Sequence, residues 1–138
     1  MKGLPNLIRL HRWRLDEKRR DLAELERLAA ELGEQRRRME EEVKAEQKAA
    51  SASPEAGYAY GPYANAVIAR RAKLAVSLAA VKAKIVQAAA DVTEGFQELK
   101  RLEIAQEHRQ EAARRNADKA EQTLLDEMGL TSHRRGGK

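Results

Sequence analysis

The side chains of this 138-residue chain best suited to proton transfer or metal ligation are three histidines, His11, His108 and His133; there is no cysteine. A catalytic or metal site needs partners for an imidazole, a second ligand at metal-like spacing or a nucleophile within hydrogen-bond reach. The three histidines fall in an apolar seam, on a late helical stretch and in the tail, with no second ligand at metal-like spacing except solvated carboxylates. Neither the G-x-x-x-x-G-K-[ST] phosphate loop nor the G-x-G-x-x-G dinucleotide fingerprint occurs, and the terminal Gly-Gly-Lys is a tail. No catalytic residue, cofactor-binding residue or metal ligand is assigned, and the chain is expected not to be an enzyme.

Recognition chemistry is better represented. Arg9, Arg12, Trp13, Arg14 and Lys18 lie together near the N-terminus, and Arg101, Arg109, Arg114 and Arg115 lie late in the chain. Guanidinium and indole groups dominate binding hot spots because they offer broad contact area together with directional donors. Trp13, Leu7 and Leu10 fall off the apolar seam counted below, which points to an exposed patch. The bland alternatives are that these side chains cover a neighbouring helix, and that the late arginines, interleaved with Glu103, Glu107 and Glu111, form an ordinary charged face.

These residues must be positioned by helices. The three tyrosines and two of the three prolines fall within residues 51–63, SASPEAGYAYGPY, and the flanking sequence has almost no punctuation. Before the break, a heptad carries Ile8, Leu15, Leu22, Ala29, Arg36, Val43 and Ala50 at one seam position. Leu4, His11, Lys18, Leu25, Leu32, Met39 and Glu46 occupy the other. After it, Val67, Leu74, Val81, Ala88, Gly95 and Leu102 alternate with Arg71, Leu78, Ile85, Val92 and Leu99. Spacings alternating between three and four identify a coiled-coil seam rather than a strand.

The expected fold is all-α, a long antiparallel two-helix coiled-coil hairpin with an overhanging second helix. Its expected elements are helix 1 at about 5–49, a loop at about 51–63, helix 2 at about 64–128 and a flexible basic tail at 129–138, all in one domain. Folding at the break opposes Leu25 to Ala88, Leu15 to Leu99 and His11 to Leu102, and sets Lys18 over the empty space at Gly95. Beyond Leu102 the seam meets Gln106, Arg109 and Asn116 and fades, where the shorter first helix, roughly 70 Å against roughly 95–100 Å, has ended. Gly33 weakens the first helix without stopping it. Gly129 and Leu130 are expected to close the second in a left-handed cap. The rival architecture, a parallel dimer, would face His11, Lys18, Arg36 and Glu46 with their own copies.

Composition bounds the function. With 36% charged and 4% aromatic residues, the chain can bury a narrow seam but no broad core or enclosed pocket. No run approaches the ~20 apolar residues of a bilayer span, and a cleaved leader is not expected at the N-terminus, so the expected location is cytoplasmic. A net charge of +5 raises nucleic-acid binding, but 22 acidic residues are interleaved with 27 basic ones. A basic coiled-coil nucleic-acid binder or a dimerising adaptor is therefore the alternative reading.

The stretches LIRLHRWRLDEKRRDLAELE, residues 7–26, and KRLEIAQEHRQEAARRNADKAEQTLLDEMG, residues 100–129, together with the two-helix plan and basic tail, resemble the flagellar export protein FliJ family. The resemblance implies a soluble, stalk-like rod of the flagellar type III export apparatus. Such a rod binds the hexameric export ATPase, promotes its assembly and activity, and links it to the export gate and export chaperones at the cytoplasmic face of the inner membrane. No nucleic acid and no small-molecule substrate are implied, and related proteins serve injectisomes. Carried over by position, the ATPase-facing residues would be Arg9, Arg12, Trp13, Arg14, Lys18, Arg101, Arg109, Arg114 and Arg115. The gate-facing surface would lie at about 37–48 and 70–84, where the aromatic residues used by some members are missing; the loop offers Tyr58, Tyr60 and Tyr63.

Overall fold

A computed structural model describes residues 3–136. The chain is all-α and forms a helical hairpin of two long helices that pack on each other, α1 (Gly3–Ala50) and α2 (Pro54–Gly136), with no strand among the described residues. Two compact units divide it, one comprising Met1–Trp13 with Phe96–Lys138 and the other Arg14–Gly95. A two-helix seam has no centre for all layers to share, because each layer touches only those beside it along the axis.

In the unit Arg14–Gly95, the buried side chains are Leu15, Met39 and Val43 on α1 and Val67, Leu78 and Val81 on α2. Leu22, Leu25, Ala29, Leu32, Leu74, Ile85, Ala88 and Val92 are half-buried, as their seam positions require. Three seam positions, Arg36, Glu46 and Arg71, are instead exposed. Around Arg36 the buried stripe passes through Leu32, Gly33, Met39 and Glu40, because a helix of 3.6 residues per turn drifts against a strict seven-residue repeat. Arg71 leaves the seam to grip Glu40 through two hydrogen bonds, Nε to Oε1 and Nη2 to Oε2, both 2.6 Å. α1 runs through Gly33 without interruption.

Gly95 is buried in this unit, and a Cβ at that position would lie 3.4 Å from Leu15 Cδ1, 3.4 Å from Lys18 Nζ and 3.5 Å from Lys18 Cδ. The expected approach of Lys18 to Gly95 is therefore present, and it belongs to the antiparallel register within the unit. Glu40 opposite Arg71 belongs to the same register.

The break is shorter than its composition suggests. Instead of a loop over 51–63 with helix 2 starting near 64, the connection is confined to Ser51, Ala52 and Ser53, and α2 starts at Pro54. The reason is a helix start in Ser53-Pro54-Glu55-Ala56. The Ser53 hydroxyl accepts from the Ala56 N–H at 3.2 Å, Pro54 occupies the first helical position, where its missing donor is harmless, and Glu55 sits at the positive end of the helix dipole. α1 ends with the Ser51 N–H on the Gln47 carbonyl and the Ser51 hydroxyl on the Lys48 carbonyl at 2.8 Å. Pro62 lies inside α2, where it leaves the Tyr58 carbonyl without its helical donor. Tyr60 and Tyr63 pack in a tilted pair, centroids 5.9 Å apart, in a groove with Glu46, Ala49, Ala50 and Ala56.

In the other unit, Ile8 and Leu99 are buried, and Leu4, His11, Leu102, Glu103 and Gln106 are half-buried. From residue 107 to 136 every position is exposed, which is the overhang of α2. The expected cap at Gly129 is absent and the expected flexible tail at 129–138 is helical to Gly136; positions 137–138 lie outside the described residues. No glycine has positive φ among the described residues, so Gly129 stays helical. The Thr131 hydroxyl donates to the Glu127 carbonyl at 2.9 Å, and His133, Arg134 and Arg135 complement the negative end of the dipole.

Candidate functional site

The nine candidate side chains divide between the two units. Arg9, Arg12 and Trp13 stand on α1 and Arg101, Arg109, Arg114 and Arg115 on α2 in the unit that holds both chain ends. Arg14 and Lys18 belong to the unit Arg14–Gly95.

In the first group, Trp13 is 56% exposed, so its indole is a surface group rather than a seam plug. Leu7 and Leu10 precede it at successive spacings of three and are also exposed. Arg12 reaches across to α2, its Nη2 donating to Glu103 Oε1 at 3.5 Å. Arg101 is held by Glu98 one turn back, at 3.1 Å. Both pairs are well exposed on the arginine side, so solvent and salt screen them and they remain exchangeable for a partner's carboxylate. Arg9, Arg109, Arg114 and Arg115 make no ion pair among the described residues, and no ion pair there involves a side chain beyond Glu103.

In the second group, Arg14 is exposed, whereas Lys18 is half-buried with its stem over Gly95. Lys18 is thus a packing residue whose side chain, Nζ included, lies over the bare backbone of Gly95.

Charge elsewhere is arranged for structure. Arg37 is clamped by Glu34, three residues before it, and Glu41, four residues after, with Nη1 donating to Glu41 Oε1 at 2.7 Å. The hydrogen bond from Arg37 holds the Glu34 carboxyl below its ordinary value, and the two carboxylates raise Arg37. Arg71 likewise holds Glu40 down, first through its hydrogen bonds and then through its charge. The Tyr63 hydroxyl is pushed up by desolvation and by Glu46 and Glu42. No cluster of three or more metal-ligating side chains occurs among the described residues, and none of the described helices is long and apolar enough to cross a membrane.

Two surfaces escaped the sequence reading. On α2, Ile68, Val76 and Val86 are 62%, 71% and 72% exposed among alanines, forming an apolar outer face. On the overhang, Leu124, Leu125 and Met128 are exposed. The strict seven-residue frame fades through Gln106, Arg109 and Asn116, yet Ala113, Ala117, Ala120, Leu124 and Met128 continue at spacings of four and three; for the overhang that pattern was the available signal.

Comparison with curated proteins and with solved structures returned no match. The family model described as the flagellar FliJ protein matches residues 1–138. With the helical hairpin, the overhanging second helix and a match over its whole length, the chain belongs to the FliJ family of flagellar type III export components.

Proposed function

We propose that this chain is a non-enzymatic coupling rod that binds the hexameric export ATPase through the unit carrying both chain ends, promotes assembly and activity of that ring, and links it to the export gate and export chaperones. The observation that carries the reading is the overhang itself. Thirty residues of α2, positions 107–136, project all their side chains into solvent, with Arg109, Arg114 and Arg115 unpaired among the described residues. A helix of this length without a partner on its own chain is an insertion element in search of a cavity, and unpaired guanidinium groups suit one lined by carboxylates.

In this reading Arg9, Arg12 and Trp13 on α1, with Arg101 on α2, supply the rest of the ring-facing surface. Trp13 is the anchor, and the arginines supply steering. Arg14 contributes charge, and Lys18 acts through packing. The exposed apolar face of Ile68, Val76 and Val86 is the better candidate for the gate or a chaperone, since it spans the stretch 70–84, which has no aromatic residue. Placement at the cytoplasmic face of the inner membrane follows through these partners.

The test is ATP hydrolysis by the cognate export ATPase with and without the protein, together with co-sedimentation. The expected result is stimulation that weakens as salt rises and falls at least ~10-fold in apparent affinity for Arg109→Glu/Arg114→Glu/Arg115→Glu. Absence of stimulation and of co-sedimentation at low salt would overturn the reading. Duplex DNA binding with a linear fall of log affinity against log salt would favour the nucleic-acid alternative instead.

A further inference from the structure

Beyond Gln106, α2 carries an apolar stripe that continues the interhelical seam, and α1 contributes nothing to cover it: every residue from 107 to 136 is exposed, Leu124 by 57%. Its seam positions are Gln110, Ala113, Ala117, Ala120, Leu124 and Glu127, small or apolar in the middle and polar at both ends. On one flank, Arg114 and Glu121 occupy the same position of successive heptads, and neither has an ion-pair partner among the described residues.

We propose that two copies of this chain pair antiparallel through residues 110–127 of α2, each overhang completing the unfinished seam of the other. In an antiparallel pair, side chains on one flank face the same flank of the partner, and the residue numbers of facing positions have a constant sum. The register that sets Ala113 across from the second copy's Leu124 also sets Ala117 across from its Ala120. Small residues then meet large or small ones in the inner layers, and Gln110 meets the second copy's Glu127 at either end. The same register brings Arg114 beside the second copy's Glu121, and two-fold symmetry repeats the pair. A parallel pair would instead put Arg114 beside the second copy's Arg109, since flanking contacts there run between positions five residues apart. Like charges at that distance oppose association.

The paired core is short and alanine-rich, so the dimer is weak and reversible, with a seam that ends at Gln110 and Glu127. Arg109 and Arg114 also belong to the surface proposed for the ATPase, so self-pairing and ring binding exclude each other. That consequence rests on the proposed function; the dimer does not.

The chain has no native cysteine, which allows a clean cross-linking test. Ala113→Cys and Leu124→Cys proteins, mixed and oxidised, are expected to give a disulfide-linked heterodimer. Either protein alone is expected to give none, because its two thiols would stand eleven residues apart along the axis, ~16 Å. Sedimentation equilibrium over a micromolar to millimolar range is expected to show a monomer–dimer equilibrium. Arg114→Glu should weaken it at least ~10-fold and Arg114→Glu/Glu121→Arg should restore it. Circular dichroism on each variant confirms that the exposed substitutions leave the helices intact. A monomer throughout that range, cross-linking of Ala113→Cys to itself, or no rescue by the charge swap would each overturn the proposal, whether or not the chain stimulates an ATPase.

Discussion

Replacing Gly95 with alanine tests the packing of the seam at its tightest point. Two effects decide the outcome. Alanine restricts the unfolded backbone and suits a helix interior better than glycine by about 0.5–1 kcal/mol. The added methyl would meet Leu15 Cδ1 and Lys18 Nζ at 3.4 Å and Lys18 Cδ at 3.5 Å, at the near edge of ordinary contact. Lys18 is a flexible stem that can withdraw a few tenths of an ångström toward solvent, so the contact term is close to neutral. Gly95→Ala is expected to stabilise the fold by about 0.5–1 kcal/mol. Gly95→Leu must displace Leu15 as well and is expected to cost about 1–3 kcal/mol. Urea unfolding followed by far-ultraviolet circular dichroism reads both as shifts of midpoint at constant slope. A lowered midpoint for Gly95→Ala would refute the reasoning, since it would mean that the register itself depends on the absence of a side chain at position 95.

The Ser53 hydroxyl caps α2, so Ser53→Ala should lower stability by about 1 kcal/mol, and Ser53→Asp should retain most of it, by the same unfolding measurement. The Glu40 carboxyl is held below its ordinary value near 4.5 by Arg71, so the folded state binds this proton less readily than the unfolded state. Its contribution is therefore complete above that ordinary value and is lost as pH falls through the lowered folded value. Acid titration of the unfolding midpoint should show a smaller loss for Glu40→Gln than for the natural chain below about pH 4.5, and equal losses would remove the pair from the stability of the fold.

Much of the architecture was legible because a heptad writes burial directly into residue type. Leu15, Val43, Val67, Leu78, Val81 and Leu99 are apolar at their counted positions and are buried. The break misled for a physical reason. Glycine and proline lower helix propensity throughout 57–62, and propensity outweighed the short capping signal of Ser53-Pro54-Glu55, which starts the helix ahead of them. Gly129 misled similarly: glycine permits a left-handed cap but does not impose one, and the helix continues where Thr131 and the last-turn bases support it. Of the candidate site, the exposure of Trp13 was readable from its place off the seam, whereas the pairing of Arg12 with Glu103 needed both helices in place.

The amino-acid order by itself determined the helical class and the fading of the seam after Leu102, because both depend on periodicity and composition, which are properties of neighbours in the chain. The family rests on resemblance over residues 7–26 and 100–129 and on the match over residues 1–138. Tertiary structure alone decided that the two helices pair within one chain, that Arg71 leaves its seam position for Glu40, and that α2 stays helical to Gly136. The first two outcomes depend on which atoms of one helix reach the other. A side chain's role is set by the surface opposite it, and that surface lies dozens of residues away in the chain.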